Sequence, residues 1–185
     1  MTKRILGLLA RGLSHVDKLV SLSRTYNHNT SVIKNFIDVG FIILSRKRWQ
    51  LTNLFIPGHW KHAAICCVDT NYVVEAVGDG VKKTGFSDFL SKSSEFIILR
   101  PLFCDEHERK IAALWAERQV GKPYDYGFGS CNTELYCIEL IAHAYSFARG
   151  GYAVHSRLLF GNLFFIPDGP SRDQAMWSSV YYGKS

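Results

Sequence analysis

The stretch from Lys122 to Tyr145 constrains the fold most, because it joins a turn-rich run to an apolar helix. Gly, Asp, Asn and Ser crowd its first part, and apolar residues with helical spacing follow until Gly150-Gly151. Cys137 stands where this helix is predicted to begin. The helix dipole and the free backbone N–H groups at such a position stabilise a thiolate and a developing oxyanion. The thiol is therefore placed for chemistry, and the question is whether the chain supplies a base.

Composition and length predict one globular domain. The 185 residues are 47% apolar and 21% charged, which is ordinary for a folded chain with a full core. No apolar run reaches the roughly 18 to 20 residues that cross a bilayer. Residues 1–11 imitate a signal peptide, but Arg11 interrupts the apolar run and no small-residue cleavage site follows. We therefore expect a cytoplasmic or peripheral membrane protein.

The cysteine pattern agrees with a reducing compartment. The cysteines are odd in number and show neither a secreted disulfide spacing nor a Cys-x-x-Cys pair. They are Cys66, Cys67, Cys104, Cys131 and Cys137.

The basic charge is concentrated near the N-terminus. Residues 1–50 hold nine Lys/Arg against two Asp, whereas the rest of the chain carries a net charge of −1. Residues 3–24 have apolar positions at three- and four-residue steps, which predicts an amphipathic helix. Such a helix either packs on the protein's own core or contacts a membrane surface or partner. Residues 1–35 are accordingly assigned to an N-terminal helical extension.

One short basic run raises the question of nucleic acid. Arg46-Lys-Arg48 lacks the interleaved aromatic residues and the repeated basic positions of a nucleic-acid-binding stripe. No nucleic-acid partner is expected, and the run is interpreted as a solvated loop.

Residues 61–76 predict a β-hairpin that carries a candidate base. Two strand-like runs, 61–68 and 72–76, are joined by three turn-prone residues around Thr70. Counting outward from Thr70 places His62 opposite or next to Glu75. A carboxylate beside an imidazole fixes its tautomer and stabilises its protonated form.

The remaining patterns predict a mixture of short strands and helices. They indicate strands at 36–45, 81–83 and 96–101, helices at 86–90 and 106–120, a turn at 167–170 and a closing strand or helix at 177–182. The strand at 81–83 is expected at a sheet edge.

Cys137 and His62 form the leading chemical pair, since a helix-start thiol and a strand histidine are the parts of a thiolate–imidazolium nucleophile. The alternative for Cys137 is a buried structural cysteine. A zinc site of His59, His62 and Cys66 or Cys67 is disfavoured, because strand residues three apart point to opposite faces. Phosphate-binding loops are absent from the sequence. Neither a metal nor a cofactor is expected.

Tyr124 is open to two interpretations. It is either a core aromatic or, from its place after the Gly-Lys-Pro turn, a hydroxyl near the thiolate.

The order of motifs resembles the circularly permuted NlpC/P60 group of papain-like proteins, in particular its YiiX-like branch, which is also similar to a poxvirus protein of this fold. The resemblance covers residues 37 to 170. Its motifs are Gly58-His-Trp-Lys-His62-Ala-Ala-Ile, Val74-Glu75-Ala with Gly80-Val81, Leu99-Arg-Pro101, Val120-Gly-Lys-Pro-Tyr124-Asp-Tyr-Gly-Phe128 and Tyr136-Cys137-Ile-Glu-Leu-Ile. One departure is Gly40-Phe41, where the family's opening strand often begins Gly-Asp.

The resemblance implies an α+β fold in which a small antiparallel sheet packs against the cysteine helix, with the histidine strand first in the chain. Residues 36–185 are assigned to this domain. The resemblance also implies that Cys137 is the nucleophile, His62 its base and Glu75 the orienting residue, with Tyr124 lining the site.

Three functions follow from the resemblance. The preferred one is a cysteine peptidase or amidase that acts on cell-wall-type peptides. The first alternative is a lipid acyl hydrolase or acyltransferase at a membrane surface, which the apolar tail at 160–166 and the helix at 3–24 would suit. The second alternative is a non-catalytic binding protein that keeps the fold.

Overall fold

A computed structural model describes residue 12 and residues 25–46, 56–127, 133–151, 154, 156–159 and 162–185. For residues 156–159 and 162–164 it describes the backbone alone. The predicted helix at 3–24 (apart from residue 12), the loop beyond Arg46, Cys131 and Phe160 lie outside the described residues. What was predicted for them stays a prediction, as does the division at residue 35.

A six-stranded antiparallel sheet organises the described chain. Its strands are β1 (Ile42–Arg46), β2 (His62–Cys66), β3 (Tyr72–Val77), β4 (Gly80–Gly85), β5 (Glu95–Pro101) and β8 (Trp177–Lys184), in the spatial order β4-β3-β2-β1-β5-β8. A separate hairpin joins β6 (Ser156–Leu159) to β7 (Asn162–Phe165). The predicted hairpin of β2 and β3 and the edge position of β4 are confirmed.

The described residues also form five α-helices of 4 to 13 residues. They are α1 (Thr30–Ile33), α2 (Phe86–Ser91), α3 (Glu106–Glu117), α4 (Cys137–Arg149) and α5 (Asp168–Arg172), and a 3-10 turn at Lys34–Phe36 follows α1. The helix α4 begins at Cys137, as predicted, and Gly150 ends it with a φ of 76°. No helix in these described segments is long and apolar enough to span a bilayer.

Alternating side chains give the sheet two buried faces. One face presents Ile42 and Ile65 to the buried sides of α3 and α4. The other presents Ile43 and Cys66 to α1 and α2. The predicted α+β fold, with an antiparallel sheet packed against the cysteine helix, is confirmed.

The first strand is shorter than predicted. It begins at Ile42 rather than near residue 36, because the 3-10 turn and Gly40 intervene. Gly40 has a φ of 74°, and a Cβ there would lie 2.7 Å from the Arg109 carbonyl oxygen. A tight turn with no side chain is needed at this point.

An early residue of the described chain meets its last residue at one place. His28 Nε2 lies 2.7 Å from the Ser93 carbonyl oxygen, and the Ser185 N–H donates to the Ser94 carbonyl oxygen at 3.0 Å. The Ser185 hydroxyl is also 3.3 Å from His28 Nδ1. Residue 28 and residue 185 are therefore neighbours beside the turn that precedes β5.

Candidate active site

Cys137 is the first residue of α4 and lies in the main apolar cluster with 2% exposure. Tyr136 precedes it in extended conformation and caps the helix, and the Tyr136 N–H donates to the Glu139 carboxylate at 3.3 Å. The first N–H groups of a helix have no partner within the helix. The thiol thus lies beside donors that can hold a negatively charged oxygen.

His62 is the first residue of β2. Its Nε2 is 2.7 Å from Glu75 Oε2, and the Cys137 side chain is near enough to the ring to raise the His62 pKa. The His62 side chain is 19% exposed and packs 5.9 Å from the Phe89 ring. The imidazole therefore lies between the thiol and the carboxylate.

Glu75 reaches His62 along a diagonal of the hairpin. The Cα partner of Glu75 on β2 is Ala64, two residues beyond His62. Sequence counting placed the two residues opposite or next to each other, and the side chains cover the small remaining offset. Thr84 Oγ1 donates to the second Glu75 oxygen, Oε1, at 2.7 Å.

The electrostatics favour a charged imidazole and a charged carboxylate. Burial by itself would lower the pKa of His62, but hydrogen bonds with Cys137 and Glu75 outweigh it and raise the pKa to about 9. Burial would raise the pKa of Glu75, but hydrogen bonds from His62 and Thr84 outweigh it and lower the pKa to about 2. Imidazolium and carboxylate therefore coexist at neutral pH.

Tyr124 is half-buried and packs against the apolar cluster that contains Cys137. The Asp125 N–H donates to the Leu135 carbonyl oxygen at 3.3 Å, and the Leu135 N–H donates to the Pro123 carbonyl oxygen at 3.1 Å. These bonds lay the Tyr124 segment beside the residues that precede α4. Burial and the nearby Cys137 raise the pKa of Tyr124, so its hydroxyl remains a proton donor.

Thr84 belongs to this arrangement but is not among the site residues predicted from the sequence. Glu75 pairs with Lys82 across β3 and β4, so Thr84 lies two residues further along β4 on the face that carries Glu75. Extending the hairpin register through the Gly78–Gly80 turn would have found it.

The other described cysteines lack such surroundings, and all are free thiols. Burial raises the pKa of Cys66, and it raises the pKa values of Cys67 to about 12 and of Cys104 to about 11. Among the described residues, no three His, Cys, Asp or Glu side chains surround a point where a metal ion could bind.

A cavity of about 370 Å³ lies beside the loop that leads into His62. Asp168 is its buried carboxylate, which accepts the Trp60 N–H at 2.7 Å and pairs with Arg172 at 2.6 Å. The cavity does not include the three candidate catalytic side chains. Its lining is Pro57, Gly58, Ile166, Asp168, Gly169, Arg172 and Asp173.

A helix-start thiol packed on an antiparallel sheet that carries the imidazole, with the histidine earlier in the chain, defines a papain-like protein of permuted order. Residues 37–178 match the family described as permuted papain-like amidase enzyme, YaeF/YiiX, C92. The chain belongs to this family, and the predicted permuted papain-like relationship is confirmed. At the level of the family it is a cysteine-type hydrolase of the amidase class.

The fold is also present in a solved structure. The chain is similar to the crystal structure of metalloprotein yiiX from Escherichia coli O157:H7, with a TM-score of 0.69 and 20% identity over 80% of this chain and 98% of that chain. At this identity the likeness is one of fold. No curated protein matches the sequence.

Proposed function

We propose that the protein is a cysteine amidase that cleaves an amide bond of a peptide-type substrate. The observation that carries the proposal is the unbroken line of side-chain contacts from Cys137 through His62 to Glu75. A thiol, an imidazole and a carboxylate in line are the parts of an activated nucleophile whose base is oriented by a third group.

In the first step the Cys137 thiol gives its proton to the neutral His62 imidazole, which becomes the imidazolium. The thiolate sulfur then attacks the carbonyl carbon and a carbon–sulfur bond forms. The carbonyl electrons move onto oxygen, and the Cys137 N–H with the Tyr124 hydroxyl stabilises this oxyanion. When the intermediate collapses, the carbon–nitrogen bond breaks and the leaving amine takes a proton from the His62 imidazolium.

In the second step water attacks the thioester while His62 accepts its proton. The carbon–sulfur bond breaks, the carboxylic acid leaves and the thiol is regenerated. Glu75 keeps the imidazole ring oriented and stabilises its charged form through both steps.

The family favours a peptide-type substrate over an acyl chain, because its members are described as amidases. An amidase cleaves an amide bond, and a peptide backbone is a chain of such bonds. Cell-wall-type peptides remain the preferred substrate class.

No metal step enters the proposal, although the similar E. coli protein is described as a metalloprotein. A metal ion requires donor atoms that converge on one point at about 2.0–2.3 Å. Here the imidazole lies between the thiol and the carboxylate, and Glu75 binds the ring nitrogen that would otherwise be free. The three side chains therefore do not fit a metal site.

One observation favours a second candidate, a binding protein that keeps the fold. Cys137 is only 2% exposed, which limits access to its sulfur. In that case the contacts among Cys137, His62 and Glu75 would serve stability alone.

Labelling with an electrophile tests the choice between the two. We expect a peptidyl chloromethyl ketone and iodoacetamide to modify the native wild type at Cys137, and Cys137→Ala to lose the modification. Cys104→Ala is the matched control, because Cys104 is more exposed and has no imidazole partner. Modification of Cys137 only after unfolding in urea would refute the amidase and support the binding protein.

A further inference from the structure

The hydroxyl of Thr84 is the second buried partner of the Glu75 carboxylate. Thr84 and Glu75 are 8% and 5% exposed, and Thr84 Oγ1 lies 2.7 Å from Oε1. The other oxygen, Oε2, lies 2.7 Å from His62 Nε2. Each carboxylate oxygen therefore has its own hydrogen-bond donor, and the plane of the carboxylate is set by both.

A competing cation lies on the solvent side of the same carboxylate. Lys82 Nζ is 3.8 Å from Glu75 Oε1, and its side chain is 43% exposed. Lys82 and Glu75 are Cα partners, so the lysine side chain starts directly beside the carboxylate. If Oε1 lost its hydroxyl donor, the lysine would be its remaining polar neighbour among those described, and rotation toward it would misalign Oε2.

The start of the strand that carries Thr84 is hydrogen-bonded to a neighbouring segment. The Val81 N–H donates to the Lys122 carbonyl oxygen at 2.8 Å, and the Gly121 N–H donates to the Val81 carbonyl oxygen at 2.9 Å. The Tyr126 hydroxyl donates to the Gly78 carbonyl oxygen at 2.9 Å. These bonds join the beginning of β4 to the segment that contains Tyr124, and the Thr84 hydroxyl further along β4 bonds Glu75.

We propose that Thr84 is a positioning residue, whose hydroxyl locks the Glu75 carboxylate so that Oε2 faces His62 rather than turning toward Lys82. This inference rests on the proposed function for its catalytic consequence, but the locking itself concerns only the contact between Glu75 and His62. Thr84 touches neither the substrate nor the thiol, and it acts through the carboxylate.

The test compares Thr84→Val, which keeps the shape and removes the hydroxyl, with Thr84→Ser, which keeps the hydroxyl. Thr70→Val in the β2–β3 turn is the matched control. We expect Thr84→Val to lower the His62 midpoint, measured by NMR of nitrogen-15-labelled histidine, by about 0.5 to 1 pH unit, equivalent to about 3- to 10-fold in the protonation equilibrium. Thr84→Ser and Thr70→Val should titrate like the wild type.

A second measurement identifies the role of the lysine. In the Thr84→Val background, Lys82→Met should raise the His62 midpoint part of the way back to the wild-type value, because no cation then draws Oε1 away. Absence of any recovery would overturn the role given to Lys82. If Thr84→Val does not fold by circular dichroism, Thr84→Ala replaces it.

The outcomes separate this inference from the proposed function. An unchanged His62 midpoint in folded Thr84→Val overturns the positioning role, even if Cys137 is labelled normally. A wild type that is not labelled at Cys137 overturns the amidase, while the His62 titration still decides the role of Thr84. A shift in Thr84→Ser as large as that in Thr84→Val would also contradict the inference.

Discussion

Replacing Glu75 by Gln tests the centre of the proposed mechanism. The change keeps the size of the side chain and removes its negative charge. The carboxylate lies 2.7 Å from the His62 ring and is buried, so it stabilises the imidazolium directly. Without that charge the charged form of the ring loses one of the two partners that raise the His62 pKa, Cys137 being the other, and the pKa must fall.

The size of the fall can be worked out from the contact. A hydrogen bond to a charged group contributes about 1.5–3 kcal/mol. One pKa unit corresponds to about 1.36 kcal/mol, so the expected decrease is about 1 to 2 units. The His62 pKa should therefore move from about 9 in the wild type to about 7 to 8. As pH rises, Glu75→Gln should lose activity at a pH about 1 to 2 units lower than the wild type does. The reason is that the leaving amine needs the proton of the imidazolium.

The assay is a titration of nitrogen-15-labelled histidine between about pH 6 and pH 10. Glu95→Gln is the matched control, because Glu95 makes the same kind of pair with His59 at 3.1 Å. A His62 midpoint in Glu75→Gln within about 0.3 unit of the wild type would refute the reasoning. So would an equal shift in the control, since Glu95 does not touch His62.

Two further predictions concern stability. Because the folded pKa of His62 is raised to about 9, its stabilisation is full below its unfolded pKa near 6.5 and is lost as pH rises through about 9. Between about pH 6.5 and pH 9 the free energy of unfolding of the wild type should thus fall by up to about 3 kcal/mol more than that of His62→Gln. Urea denaturation at several pH values measures this, and the same pH dependence in both proteins would contradict the prediction. Asp168→Ala leaves the buried Trp60 N–H unpaired and should cost about 1–3 kcal/mol. Asp88→Ala, at an exposed position, is its control, and an equal cost for both would contradict a specific role for Asp168.

The hairpin was predictable because its information is local. Thr70 sits in a short turn, and a short turn fixes the register of the strands that flank it. His62 and Glu75 could therefore be brought together by counting. The helix at Cys137 was also readable, since the turn-forming residues before it and Gly150 after it mark both ends.

Other parts could not be read because their determinants are far apart in the chain. Asp168 bonds the Trp60 N–H across 108 residues, and no local period reports such a contact. The first strand was predicted too long because the apolar run at 36–41 looks like a strand. Its conformation is set instead by the close approach of Gly40 to the Arg109 backbone.

The meeting of His28 with Ser185 has a topological meaning. Both residues are bonded to the same two-residue stretch, Ser93 and Ser94. Segments that lie side by side can be connected in a different chain order with little change to their packing. The order in which the histidine and the cysteine occur along the chain is therefore not dictated by the packing. The spatial relation between thiol and imidazole is independent of that order.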